Sequence, residues 1–194
     1  MSATSEVQIC SNALLLLGQS PISSLSDPDG TGSSSVLLCA NLWPMVRQSV
    51  IRSHPWNCCM KRVVLAPDSA TPAFDWSYQF TLPGDNLRVW TVGTDNVALE
   101  WFIENGKLLQ DDAVCYLRYM FDNTDVTTYD AMLTLAMTSG MAAALAYPVT
   151  KSQTNQDAMV KLHQFHLKQA RTVDGQEGTG EQSPDSPLIR VRGR

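Results

Sequence analysis

The sequence predicts an α+β protein: a four-helix bundle with a small antiparallel β domain inserted in it and an extended C-terminal tail. Two periodicities and one absence carry that reading. Apolar residues recur at helical spacing towards both ends. From Trp56 to Phe121 they alternate with polar ones instead, and beyond residue 172 neither period remains. The expected units are a helical bundle over 1–55 and 125–172, a β-rich insert over 56–124 and a tail over 173–194.

Ser5 opens the first helix, with Gln8 three residues on as a capping box. Val7, Cys10, Leu14 and Leu17 keep helical spacing and Gly18 is a natural stop. The four leucines 14–17 place apolar groups nearly all round the last turn, so that end needs cover on two sides, from another domain or another subunit. Residues 19–34, rich in Ser, Pro, Gly and Asp, read as a loop. A second helix is expected over 35–53, kinked or restarted at Pro44 and ended by His54-Pro55-Trp56.

In the middle block, Pro83-Gly84-Asp85 and Asn105-Gly106 are turn signals. Strands are expected over 77–82, 87–92 and 114–121. Another is expected where Val97, Leu99, Trp101 and Ile103 alternate with Ala98, Glu100, Phe102 and Glu104. Helical pattern resumes at Tyr129, with Thr127 or Thr128 as cap. Small residues crowd positions 136–146, allowing close approach of a neighbouring backbone, and Pro148 ends that helix. A fourth helix over 155–171 carries Met159, Leu162, Phe165 and Gln169 at helical spacing. The tail is expected to be extended until its apolar and basic stretch 188–192 orders on a partner.

The composition, 44% hydrophobic and 17% charged, is globular and slightly poor in charge, so part of the surface is neutral or covered by a partner. A net charge of −5, with Lys and Arg scattered apart from Arg190, Arg192 and Arg194, disfavours tight DNA binding. It is compatible with DNA sliding past an acidic wall. Five cysteines without CxxC spacing, and an N-terminus without a basic-then-apolar leader, lead us to expect reduced thiols in a cytosolically made, soluble protein. The longest apolar stretch, 141–149, is too short for a bilayer, and no membrane partner is expected.

Candidate chemistry is sparse. His163 and His166 stand three apart on one helix, a spacing that can hold a metal, but no HExxH glutamate accompanies them and His54 is the only other histidine. They read as surface or interface residues. Cys58 and Cys59, placed in a strand, would point to opposite faces and act as structural thiols. No GxSxG elbow is present, Ser33–Ser35 lies in a loop, and Gly30-Thr31-Gly32 lacks the lysine of a P-loop. Asp111-Asp112 and the Asp27, Asp29 pair fall at turns, where aspartate suits the backbone. A glycosidase-like acid pair is left open, because its separation is a three-dimensional quantity. The five tryptophans, Trp43, Trp56, Trp76, Trp90 and Trp101, read as core and interface material. No run joins them to lysines and arginines as a single-strand-binding surface would. The reading is of no catalytic residue, no cofactor and no metal.

Five segments in order carry a resemblance. They are CSNALLLLGQSPISSL (10–25), LWPMVRQSVIRSHPWNCCMKRVVLA (42–66), FDWSYQFTLPGDNLRVW (74–90), the Gly-turn hairpin at 104–111, and 129–151 with its Ala-rich helix and Pro-Val-Thr-Lys-Ser exit. Together they resemble the tail tubular protein A family of short-tailed bacteriophages, the head-to-tail adaptor or gatekeeper ring proteins, over about residues 5–175. The resemblance implies a non-enzymatic virion protein that joins the portal to the tail nozzle. It implies a ring of twelve copies matching the portal, with helices side by side, the β region towards the tail, and DNA passing without specific binding. A closed ring needs two different faces on each subunit, and the first and third helices are the candidates. On the portal, Leu188, Ile189 and Val191 are expected to be buried and Arg190 and Arg192 to pair with acidic groups. The competing classes are an envelope-acting hydrolase using His163 and His166, and a DNA-binding factor.

Overall fold

A computed structural model of the chain describes residues 5–26, 34–94 and 99–177. It is α+β, with four helices and two three-stranded antiparallel sheets. Helix α1 (Glu6–Leu16) starts as its residues require: Ser5 is extended and its Oγ accepts the Gln8 amide at 3.1 Å. It ends in a Schellman motif. Gly18 takes φ +71°, its amide donates to the Leu15 carbonyl, and the Gln19 amide donates to Leu14. The Ser11 hydroxyl then clips the following loop by donating to the Ile22 carbonyl and accepting its amide.

Helix α2 (Ser34–Arg52) runs through Pro44 as one element and does not restart there. Pro44 is on the exposed side, where water can serve the Ala40 carbonyl that the missing N–H leaves free. The buried face is Cys39, Trp43, Arg47, Val50 and Ile51. After α2, Trp56 is fully buried and its indole N–H donates to the Val50 carbonyl at 3.0 Å. Asn57–Cys59 form a short 3-10 turn rather than a strand.

The β strands are β1 (Met60–Leu65), β2 (Tyr78–Thr81), β3 (Asn86–Val92), β4 (Phe102–Glu104), β5 (Lys107–Gln110) and β6 (Cys115–Phe121). One sheet has the order β1-β6-β3 and the other β2-β5-β4. Asn105 and Gly106, at φ +47° and +72°, make the two-residue hairpin turn between β4 and β5, with Glu104 opposite Lys107. The Pro83-Gly84 turn closes no hairpin and instead carries the chain from one sheet to the other. Of the strand expected through 97–104, Phe102–Glu104 are the strand residues among those described, and the pairing with β5 ends at Phe102 opposite Leu109. Val97 and Ala98 lie outside the described residues.

Further boundaries are corrected by capping chemistry. Helix α3 (Ala131–Thr150) begins at neither Thr127 nor Thr128, which belong to a 3-10 turn, nor at Tyr129. Asp130 is the cap, its carboxylate accepting the Met132 and Leu133 amides at 2.6 and 2.8 Å. Pro148 does not end α3. The Lys151 amide still bonds the Tyr147 carbonyl, and the helix stops where Lys151 turns left-handed at φ +54°. Helix α4 (Gln153–Asp174) is longer than 155–171 at both ends, capped by Ser152 and closed at Gly175. The expected start of the tail at 173 is therefore corrected, since Val173 and Asp174 are helical.

Helix α3 packs against α1, α2 and α4. With its small polar residues counted, it is long and apolar enough to cross a bilayer, unlike the 141–149 stretch alone, but 61% of that window is buried in the protein as in a core helix. Gly140 explains the close packing: a Cβ there would meet His163 Cε1 of α4 at 3.1 Å and Val46 Cγ1 of α2 at 3.2 Å. Most of the buried apolar residues form two clusters. One joins the four helices with Trp56, Cys59, Val126 and Tyr129, and the other lies between the sheets around Phe80, Leu108, Leu117 and Tyr119.

Polar ties join the helices to the strands. Arg47 grips Asp122, just after β6, with Nε–Oδ1 at 2.8 Å and Nη2–Oδ2 at 3.0 Å, and Gln48 adds a bond at 2.8 Å. Burial pushes the Asp122 carboxyl up, but the Arg47 and Gln48 bonds outweigh it and hold it below the usual range. Asp174 is 5% exposed. Its Oδ1 accepts the Asn57 amide and its Oδ2 meets His54 Nε2, both at 3.0 Å, so the end of α4 is pinned to the α2–β1 junction.

Candidate interaction surfaces

The residues weighed for chemistry do not converge. The His163 ring is half-buried between α3 and α4, Nδ1 is 3.1 Å from the Ala136 carbonyl oxygen, and burial lowers its pKa. His166 is lowered by burial as well, while His54 is engaged with Asp174. Among the described residues no group of three or more His, Cys, Asp or Glu side chains could hold a metal. Cys58 and Cys59 do not point to opposite faces. The 3-10 turn brings their sulfurs to 3.6 Å, with Cys59 buried and Cys58 half-buried. Asp111 accepts the amide and hydroxyl of Ser77, a long-range tie at the end of the β2–β5 pairing. Asp27, Asp29, the Gly30–Ser33 stretch and the tail residues Leu188, Ile189, Arg190, Val191 and Arg192 lie outside the described residues.

What the fold does assemble is surface. On the helices, the leucine run splits as its geometry dictates: Leu14 is buried, while Leu15 and Leu16 remain 55% and 46% exposed. Among the described residues, none supplies their second cover. On α4, Phe165 is 57% exposed and, with Met132 and Val173, lines a groove of about 410 Å³. Such apolar side chains, gathered in pairs and grooves, mark contact surfaces more than scattered single ones do. Beside the β2-β5-β4 sheet, Phe74, Trp76, Phe102 and Leu109 line a cleft of about 610 Å³ rimmed by Asp75 and Glu104.

A third surface escaped the sequence reading. In the β1-β6-β3 sheet, Arg62 lies directly opposite Arg118 and Val64 opposite Tyr116, while Arg88 lies opposite Met120. The alternating pleat puts all of these on the face away from the inter-sheet core. A bulge between Val89 and Thr91 adds Trp90 to that face, its ring centroid 5.8 Å from the Arg88 guanidinium carbon. Arginines and aromatic rings far apart in sequence thus become neighbours. The available signal was their outward position in each strand, but it has no meaning until the strand order is known.

No protein-family model matches the chain, and no curated protein matches it.

Proposed function

We propose that the protein is a structural virion component, the head-to-tail adaptor of a short-tailed phage. It forms a ring of twelve copies between portal and tail nozzle, around the path of the DNA. The observation that carries this reading is the apolar surface left uncovered on the helices, above all Leu15 and Leu16 on α1 and the Phe165 groove on α4. Two different apolar faces on one subunit suit the heterologous contact by which a ring closes. The portal and nozzle partners rest on the five ordered segments that resemble the tail tubular protein A family. In this arrangement the helices form a bundle, the sheets are an insert facing the nozzle, and the tail reaches the portal through Leu188, Ile189, Arg190, Val191 and Arg192.

Purified protein mixed with portal particles and imaged by negative stain tests the reading. Rings docked on the portal are expected, and Leu15→Asp or Phe165→Asp should abolish them while the far-UV circular dichroism spectrum is retained. Portal particles that stay bare of the wild-type protein would reject the proposal.

A further inference from the structure

We infer that the cleft on the outer face of the β2-β5-β4 sheet docks an arginine-bearing segment of a partner protein, its guanidinium taken by Asp75 and Glu104 against the rings of Phe74, Trp76 and Phe102. This goes beyond the adaptor reading and does not depend on it.

The strand register builds the floor. Gln79, Leu109 and Phe102 lie side by side across β2, β5 and β4, and Thr81, Lys107 and Glu104 form a second row on the same face. The alternate row, Phe80, Leu108 and Ile103, takes the other face, where Phe80 and Leu108 are fully buried. The segment before β2 supplies the wall. The Trp76 amide donates to the Phe74 carbonyl at 2.9 Å and Asp75 between them takes φ +67°, a tight three-residue turn that sets a carboxylate-bearing residue between two aromatic ones. Wall and floor enclose about 610 Å³, within the range of binding clefts.

Charge and rings choose the occupant. Phe74 and Phe102 are 76% and 56% exposed. Among the described residues neither Asp75 nor Glu104 is in an ion pair. Lys107 also lines the cleft and lies opposite Glu104 in the register, but its ammonium is engaged by Asp68 at 2.7 Å and Thr81 at 2.6 Å. Two unmatched negative charges beside exposed rings favour a cation, and a guanidinium can stack on a ring while donating to carboxylates. A neutral sugar would leave both carboxylates uncompensated, and a phosphate would be repelled. Aromatic residues and arginine are also the types concentrated where proteins meet.

The test is fluorescence anisotropy of a labelled peptide, Ser-Leu-Arg-Leu-Arg-Ser, titrated with the full chain at low salt. The same peptide with citrulline for both arginines, alike in shape but uncharged, should bind about tenfold more weakly or worse. Asp75→Asn and Glu104→Gln should each weaken the arginine peptide about tenfold, and Phe102→Ala about fivefold. Asp157→Asn, at an exposed acid on α4 outside the cleft, should leave the affinity unchanged. Far-UV circular dichroism and Tm of each variant confirm folding. The inference is overturned if the wild type does not bind the peptide, if the citrulline peptide binds equally well, or if Asp75→Asn and Glu104→Gln bind unchanged. It is equally overturned if Asp157→Asn loses as much, which would leave only attraction to the net negative charge, or if maltohexaose displaces the peptide as well as unlabelled peptide does, which would make the cleft a sugar site.

Discussion

Replacing Asp174 by Ala separates a folded end of α4 from a free tail. The carboxylate is 5% exposed and makes two bonds of 3.0 Å, one from the Asn57 amide and one to His54 Nε2. Its removal strands the amide at the α2–β1 junction, at a cost of about 1–3 kcal/mol, and deletes a bond to an ionised acceptor of similar size. The two share one side chain and are not fully additive, so the expected loss is ~3 kcal/mol. For a domain of this size that lowers Tm by roughly 6–12 °C. Urea denaturation followed by circular dichroism reads the free energy, and Asp157→Ala, an exposed acid on the same helix, is the control expected within about 0.5 kcal/mol of wild type. If Asp174→Ala were as stable as wild type, or if Asp157→Ala lost as much, the pinning argument would fail.

Three other outcomes are expected. Gly140→Ala should lie within about 1 kcal/mol of wild type, because helix propensity offsets a tight Cβ, whereas Gly140→Leu should cost about 3 kcal/mol by overpacking against His163 and Val46 in the same denaturation assay. Arg47→Met should cost about 3 kcal/mol at neutral pH. Because the Asp122 carboxyl is held low by its partners, that contribution is present above the ordinary aspartate range and is lost as pH falls through the lowered value, so the difference from wild type should shrink in acid. His163 and His166 are both lowered by burial. Their unfolded forms bind protons first, so stability should be full above about pH 6.5 and fall as pH drops below it, and His163→Gln should flatten that fall.

Elements whose chemistry is local were legible from the residues alone. Ser5 and Gly18 bound α1 because a hydroxyl acceptor and a residue tolerant of positive φ are needed at those two places. Asn105-Gly106 makes its hairpin because both residues tolerate positive φ. The shift from helical to alternating period placed the strands between the second and third helices for the same reason. Proline misled at Pro148, and α2 did not restart at Pro44, since a missing N–H stops a helix only where water or a later bond cannot compensate. Strand order, by contrast, is a long-range property. That β6 pairs with both β1 and β3, and that β2 leaves for the other sheet, follows from which faces bury together. Only the tertiary structure therefore drew Asp174 out of the expected tail into a buried clasp. It also left Leu15 and Leu16 uncovered and set Arg62, Arg88 and Arg118 beside Trp90 and Tyr116. Burial and adjacency are set by partners many residues away, and no local spacing encodes them.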